Sequence, residues 1–306
     1  MYTPVRGSVE EGALRPPSGT FAREPVRGAV EEGTLRPPSG TFARADLPAI
    51  AVPTFVTTWL PPTESVSVKL AVWFLGMFCF SAVVVGPPGY YFSTPLALLR
   101  VGVLAPEYLQ CVACGYIHEL RRVFVATFLH TNLVHVLFNT MFILGMGYQV
   151  ECVIGSAQFL KFFLATATWA NLVAVAFGWS SMCGASTGGF ALIGYRVMTD
   201  FLAWPRMTEP ERLHLRQTTG KLIAFVVVWE LLGWSTLSHW GHFCGFVAGA
   251  ATTACMSVND FKKTVLVSKI CLVAFPIVAT ILLFLPLYGN YGEFRQVCHS
   301  LQQIYF

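Results

Sequence analysis

The chain has 306 residues, of which 55% are hydrophobic and only 12% are charged, whereas an ordinary soluble domain has about 25% charged residues. This composition excludes an ordinary soluble protein and predicts one that crosses a membrane several times. The net charge is only +4, and the basic residues form no patch interleaved with aromatic residues, which argues against nucleic-acid binding.

The first part of the chain contains a tandem duplication, in which residues 4–23 recur at 25–44 with a period of 21. Because this part is rich in Pro, Gly, Arg and Glu and poor in aliphatic residues, residues 1–66 are predicted to form a disordered tail. It lacks the apolar stretch of a secretory signal, and its paired glutamates argue against a mitochondrial transit peptide. Two interpretations stay open: a tail that binds a partner or directs trafficking, and a tolerated duplication.

Seven apolar segments follow, each near the ~20 residues that span a bilayer as a helix. They lie at about 68–86, 128–148, 157–178, 183–199, 221–237, 239–257 and 264–288. The predicted fold class is therefore an all-α polytopic membrane protein. The stretch 87–122 is not long or apolar enough to span, and we expect it to lie on or in one leaflet.

Nine cysteines are too few and too scattered in a chain of this length to form a disulfide scaffold. Cys111 and Cys114 form a CxxC pair in the loop at 87–122. Because no second pair lies nearby, the pattern argues against a zinc site and favours free thiols or a local disulfide.

Basic residues determine the predicted orientation. If the N-terminus is cytosolic, the opposite side of the membrane holds only Arg100, Arg121, Arg122 and Arg295, and all other basic residues in loops are cytosolic. The positive-inside rule therefore predicts a cytosolic N-terminus. In that orientation several polar residues fall near the outer ends of the second, fourth and sixth segments, namely His135, Asn139, Ser186, His239 and His242.

Ser186 lies between small residues inside the apolar run 179–197, where a hydroxyl without a purpose is costly. The pentapeptide from Gly184 to Gly188 also fits the nucleophile elbow of soluble α/β-hydrolases, which requires a strand before it and a helix after it. No part of the chain alternates strands with amphipathic helices, which argues against that class. A serine of this kind can also simply bond back to its own helix.

His242 lies next to a helix face of small residues. That face is formed by Gly241, Gly245 and Gly249, which recur every four positions. The fourth segment has small residues of its own, namely Gly188, Gly189, Ala191 and Gly194. Packing the two faces together is predicted to bring His242 within hydrogen-bond reach of Ser186, as general base and nucleophile. Neither helix has an acid near its outer end, so we expect a serine–histidine dyad. Glu230 in the fifth segment is expected to pair across helices.

In the second segment, His135 and Asn139 are four residues apart and share one helix face. Both side chains can donate hydrogen bonds to a developing oxyanion. His130 is expected to order the helix start or a nearby loop. Phe190 is either a core residue or packs on the ring of His242, and an intramembrane histidine can also be satisfied by a neighbouring carbonyl.

Together these motifs resemble the rhomboid intramembrane serine proteases. The resemblance covers roughly residues 68–257 and is carried by Phe128-Leu129-His130, His135, Asn139, Glu151, Gly184-Ala185-Ser186 with 190–194, and His242 with Gly245 and Gly249. It implies a six-helix core that cleaves transmembrane segments near the outer leaflet. It also implies that Ser186 is the nucleophile, His242 the general base, and His135, Asn139 and the Ser186 backbone N–H the oxyanion hole. The residues expected to serve packing are Gly184, Gly188, Gly245, Gly249, Arg122 and Phe190.

The sequence departs from this family at two positions. Arg122 matches the arginine of the family's Trp-Arg loop motif, but Arg121 precedes it where the motif has tryptophan. Thr187 follows the serine where rhomboids usually have glycine, and some protozoan rhomboids are similar in having threonine there. We interpret Thr187 as a subfamily variant that keeps the dyad.

The segment at 264–288 resembles the six-plus-one arrangement of eukaryotic members, which implies the plasma membrane or secretory pathway instead of the mitochondrion. The predicted organisation is a cytosolic tail at 1–66, a protease core at 67–258, and a seventh helix with a short tail at 259–306. We expect single-pass transmembrane proteins as substrates, contact with lipid, and no cofactor or metal.

Two other functions compete with proteolysis. A catalytically inactive rhomboid-like scaffold would bind membrane proteins without cutting them, and Thr187 is the feature that favours it. A transporter is suggested by polar residues at membrane depth, such as Trp169, Asn171 and Glu230. It predicts inverted internal repeats, and the sequence shows none.

Overall fold

The computed structural model describes residues 61–85, 95–233, 237–257, 262–285 and 291–305. The tandem duplication and the predicted disordered tail up to residue 60 lie outside these ranges. The described helices are α1 (Val66–Val85), α2 (Pro95–Val101), α3 (Pro106–Gln110), α4 (Arg121–Val125), α5 (Leu133–Phe142), α6 (Tyr148–Ile154), α7 (Ser156–Gly178), α8 (Ser186–Ala203), α9 (Glu209–Leu232), α10 (His239–Met256), α11 (Lys262–Phe284) and α12 (Tyr291–Tyr305).

The predicted all-α membrane architecture is confirmed. A π-helical turn, Ile143–Gly147, joins α5 to α6, so that Leu133–Ile154 is one continuous span. Together with Val66–Val83, Ser156–Gly178 and Lys262–Phe284, it is long and apolar enough to cross a membrane. The helices α8, α9 and α10 complete the bundle and carry the polar residues of the candidate site. In the part of the chain that is described, β pairing is limited to one bridge between Leu104 and Met182.

Two predicted helix starts differ from the observed ones for reasons of capping. Residues 126–128 form a 3₁₀ turn, and α5 begins only at Leu133, because the Asn132 side chain accepts the His135 backbone N–H at 2.8 Å. The fifth segment was expected from 221, but α9 begins at Glu209. Thr208 and Glu211 form a capping box there, which starts the helix in polar sequence.

The expectation for the CxxC pair was wrong for Cys111. Its sulfur is bonded to Cys298 of α12, with 5.5 Å between the two Cα atoms, whereas Cys114 is a free thiol. Cys111 and Cys298 are both fully buried. The predicted short tail after the seventh helix therefore contains a helix that is covalently fixed to the stretch before α4.

One end of the bundle, called here the site end, gathers the start of α8, the start of α10 and the stretch between α2 and α4. Leu104 and Met182 exchange two backbone hydrogen bonds of 3.1 and 2.8 Å, which ties that stretch to the segment before α8. The Gln110 side chain donates to the Leu283 carbonyl at 2.8 Å, so α11 also ends there. At the opposite end, the Glu151 carboxylate accepts the Val66 and Ser67 backbone N–H groups and so caps α1.

The helices α8 and α10 pack with almost no side chain between them. A Cβ atom on Gly249 would lie 1.9 Å from the Ala191 carbonyl oxygen, and one on Gly245 would lie 2.2 Å from the Thr187 carbonyl oxygen. Gly194 of α8 has the same role in reverse, since its Cβ would lie 2.2 Å from the Phe246 oxygen. The spacing of small residues correctly indicated this close approach.

Not every small residue of α8 serves that contact, and in this the expectation was wrong. A Cβ atom on Gly188 would lie 2.3 Å from the Phe163 ring of α7, and one on Gly189 would lie 3.3 Å from the Phe142 ring of α5. The small residues of α8 therefore point in three directions, because a helix turns by about 100° per residue. Because α5, α7 and α10 each pack against one of these sides, α8 is the central helix of the bundle.

We expect Gly249→Ala to destabilise the protein by about 1–3 kcal/mol, since the added methyl group meets backbone that cannot move aside. Gly220→Ala on α9 is the matched control, because its Cβ meets no other atom within 4 Å. Thermal unfolding in detergent measures both variants. Equal melting temperatures for Gly249→Ala and the wild type would contradict the close contact of α8 with α10.

Candidate active site

Ser186 is the first residue of α8 and is half-buried at the site end. Two contacts fix the segment before it: the Gly184 N–H donates to the Ala126 carbonyl at 2.9 Å, and the Ala185 N–H donates to His130 Nε2 at 3.4 Å. His130 is fully buried, and its contact with Ala185 agrees with the expectation that it orders a nearby loop. Gly184 has φ +127°, a conformation that favours glycine.

His135 lies beside this turn. A Cβ atom on Gly184 would lie 2.7 Å from His135 Nε2 and 3.7 Å from Ser186 Oγ, so the imidazole and the hydroxyl approach the same point. The other ring nitrogen, Nδ1, is hydrogen-bonded to Thr131 Oγ1 at 3.1 Å. Thr131 Oγ1 also accepts from the Asn132 side chain at 3.2 Å. In the tautomer in which the Thr131 hydroxyl donates to Nδ1, the ring hydrogen lies on Nε2, the nitrogen that faces Gly184.

Asn139 is buried one turn after His135, and its Nδ2 donates to the His135 carbonyl at 2.9 Å. That bond uses one of the two hydrogens on the amide nitrogen, so one donor is left. Asn139 and His135 line one cavity together with Ser186 and His242.

His242 lies in the first turn of α10 and is buried. The ring of Phe190 from α8 stacks on its imidazole, with centroids 4.1 Å apart and planes 4° apart. Phe190 therefore has the second of the two roles considered for it, and it fixes the plane of the imidazole.

An acid that was not expected at this site contacts His242. The Glu230 carboxylate of α9 is hydrogen-bonded to His242 Nδ1 through one oxygen and to His239 Nδ1 through the other, the latter at 2.5 Å. The prediction that Glu230 pairs across helices is confirmed, but its partner is the candidate base. A dyad was expected because the helices of Ser186 and His242 have no acid near their outer ends, whereas Glu230 lies on a third helix.

The cavity has a volume of about 760 Å³ and is lined mainly by apolar side chains of α5, α8 and α9. On one side Phe138 of α5 stacks on Trp229 of α9, with centroids 4.0 Å apart and planes 8° apart. Phe225, one turn before Trp229, extends this aromatic wall. Ser186, His135, Asn139 and His242 are among the polar residues that line it.

Arg122 is hydrogen-bonded to the backbone of residues that line the cavity. Its guanidinium is fully buried, is paired with Glu119, and lies over the Tyr108 ring at 3.9 Å. It also donates to the Leu99 and Val103 carbonyls at 2.8 and 3.0 Å, and both of these residues line the cavity. Glu119 in turn accepts from Gln302 of α12 at 2.5 Å. The packing role expected for Arg122 thus has a specific form, because it holds one wall of the cavity.

Thr187 follows Ser186 and is almost fully buried. Gly241 on α10 makes room for it: a Cβ atom at that position would lie 3.3 Å from the Thr187 methyl group. The Thr187 hydroxyl has no hydrogen-bond partner among the described residues. The bundle accommodates threonine at this position by packing alone.

The residues that suggested a transporter have structural partners. The Trp169 ring N–H donates to the Leu272 carbonyl at 2.9 Å and joins α7 to α11. The Asn171 side chain donates to the Val123 carbonyl and to Thr127 at 2.9 and 3.0 Å. Across the described ranges, no group of three or more His, Cys, Asp or Glu side chains is arranged to hold a metal ion.

Comparison with known proteins agrees with the resemblance noted from the motifs. Residues 118–259 match the family model described as the Rhomboid domain. This range contains Ser186, His135, Asn139, Glu230 and His242. Over this range the chain is similar to the rhomboid family.

Among curated proteins, the chain is similar to Rhomboid-like protease 1 of Toxoplasma gondii, at 35% identity over 43% of this chain and 45% of that protein. Rhomboid-like protease 2 of the same organism is 29% identical over 63% of this chain and 67% of its own length. The Rhomboid protease GlpG of Salmonella choleraesuis is 26% identical over 48% of this chain and 52% of its own length. The match to the first of these relatives thus spans less than half of its length.

Proposed function

We propose that the protein is an intramembrane serine endopeptidase that cleaves transmembrane segments of single-pass membrane proteins near the outer leaflet. The observation that carries this proposal is the meeting of Ser186, His242, His135 and Asn139 in one cavity. A nucleophile, a base and two oxyanion donors are the groups that acyl transfer requires. The similarity to rhomboid-like proteases supports the same reaction class.

In the proposed reaction, Ser186 Oγ attacks a peptide carbonyl carbon while His242 takes the hydroxyl proton. The C–N bond then breaks, and His242 gives the proton to the leaving amine. Water later hydrolyses the acyl–enzyme ester by the same route. His135 Nε2–H, the Asn139 amide and the Ser186 backbone N–H at the start of α8 stabilise the oxyanion, and losing one such donor typically costs about 100-fold or more in rate.

The substrate must present an unpaired carbonyl, because a carbonyl inside a transmembrane helix is hydrogen-bonded within its own segment. A segment with small or helix-breaking residues near the outer leaflet unwinds most readily and is the expected substrate. The apolar wall of Phe138, Phe225 and Trp229 provides a surface for its side chains.

The alternative is an inactive rhomboid-like scaffold. Thr187 favours it, because glycine usually follows the serine in this family. The packing of Thr187 argues against a scaffold, because Gly241 leaves room for the threonine and Ser186 still lines the cavity. A scaffold would have no need of a base held by both Phe190 and Glu230.

Replacing Ser186 with alanine is expected to abolish cleavage of a co-expressed single-pass reporter, because loss of a serine nucleophile lowers rates by about 10⁶-fold in well-studied proteases. Ser181→Ala is the matched control, since Ser181 lines the same cavity but is exposed. Immunoblotting of the released reporter domain measures both variants. Undiminished cleavage by Ser186→Ala would exclude the proposal.

For orientation we propose that the site end faces the outer or luminal side and that the N-terminus is cytosolic. The disulfide between Cys111 and Cys298 supports this, because disulfides persist in oxidising compartments. The basic residues support the same orientation, since the end opposite the site holds Lys69, Lys161, Arg196, Arg206, Arg212, Arg216, Lys262 and Lys263. A membrane of the secretory pathway or the plasma membrane fits both observations.

Protease treatment of sealed microsomes tests the orientation. With the cytosolic face outward, an epitope tag before Met1 should be digested, and a tag after Phe306 should be protected until detergent is added. Digestion of the second tag in intact vesicles, with protection of the first, would reverse the proposed orientation.

A further inference from the structure

The most informative contact outside the expected site residues is the one that Glu230 makes with α10. Its two carboxylate oxygens contact Nδ1 of both His239 and His242, which occupy one face of the first turn of α10. The Glu230 side chain is 20% exposed and that of His242 is 5% exposed, so the contact with His242 is largely shielded from water. A charge-assisted hydrogen bond is stronger under those conditions than at an open surface.

This contact determines which nitrogen of His242 carries the hydrogen. A carboxylate accepts only, so the hydrogen resides on His242 Nδ1 and the lone pair on Nε2. Nε2 lies at the opposite edge of the ring from Glu230, and the ring borders the cavity that holds Ser186. In this form of the ring, Nε2 is the nitrogen that can accept a proton.

Two contacts fix the orientation of the His242 ring, one on its face and one at its edge. Phe190 covers the face of the imidazole at a centroid distance of 4.1 Å, and Glu230 holds its Nδ1 edge. With the plane and one edge fixed, rotation about the side-chain bonds of His242 is restricted. Neither Phe190 nor the backbone of α10 fixes the edge, so this function falls to Glu230.

We propose that Glu230 is a positioning residue that completes a Ser186–His242–Glu230 group, an inference that rests on the proposed function. As the Ser186 proton moves to Nε2, the Nδ1 hydrogen stays on the ring and Glu230 stays ionised opposite the new imidazolium. When the C–N bond breaks, the Nε2 hydrogen goes to the leaving amine and His242 is neutral again. Glu230 thus stabilises a charge that exists only during the reaction.

A purely structural role for Glu230 is the competing explanation, because α9 is lightly packed. Of the side chains described on α9, only that of Leu215 is buried. A carboxylate that binds two residues of α10 could simply attach the end of α9 to the bundle. The two roles differ in kinetics: attachment affects the cavity wall and therefore substrate binding, whereas positioning affects the chemical step.

The test uses the purified full chain in proteoliposomes with a fluorogenic single-pass substrate. For Glu230→Gln we expect kcat to fall at least about tenfold with KM within about twofold, because the interaction is lost mainly in the transition state. Glu230→Asp, which keeps the charge on a shorter side chain, should retain more of the wild-type kcat than Glu230→Gln. Glu209→Gln makes the same chemical change at the other end of α9, where Glu209 is exposed, and should leave both constants unchanged.

A wild-type kcat in Glu230→Gln, or a rise in KM alone, would overturn the inference. If Glu230→Gln does not fold, as judged by its melting temperature, Glu230→Met takes its place, because it keeps a side chain of similar length without the carboxylate, and an undiminished kcat in that variant would equally overturn the inference. The failure of the proposed function is recognised separately. In that case Ser186→Ala would cleave as well as the wild type, whatever the Glu230 variants do.

Discussion

The site depends on one contact, the approach of α8 to α10 with glycine at the points where their backbones meet. Gly245 lies against the Thr187 carbonyl and Gly249 against that of Ala191, so no side chain separates the helices there. This proximity lets Phe190 of α8 stack on the ring of His242. A larger residue at either glycine would push the two helices apart and draw the imidazole away from the start of α8.

Around that fixed pair the other helices differ in how firmly they are held. Gly188 admits the Phe163 ring of α7, which fixes α8 from a second side. The helix α9 forms one wall of the cavity yet has few buried side chains, and it also carries Glu230. The aromatic residues Phe225 and Trp229 of the cavity wall and the acid that contacts His242 therefore belong to one lightly packed helix. Because Glu230 joins α9 to α10, the position of this helix affects both the shape of the cavity and the orientation of His242.

Much of this arrangement follows from short-range patterns in the sequence, and the rest requires long-range pairing. The four-residue spacing of Gly245 and Gly249 specifies a close helix contact wherever those residues are helical, so that contact was predictable. The position of Glu230 was not, because its partner depends on how a third helix is placed. The sequence did carry one indication of this contact: Glu230 is an acid in an apolar segment, at the depth expected for the histidines. The pairing of Cys111 with Cys298 was hidden for the same reason, since sequence alone does not determine connectivity.

The central claim is that His242 activates Ser186 as a nucleophile, and covalent labelling tests it most directly. A fluorophosphonate probe reacts with an activated serine and is unreactive towards an ordinary hydroxyl. The wild-type protein in liposomes should be labelled, peptide mapping should place the label on Ser186, and His242→Ala should lose it. Equal labelling of Ser186 in His242→Ala, or no labelling of the folded wild-type protein, would contradict the account.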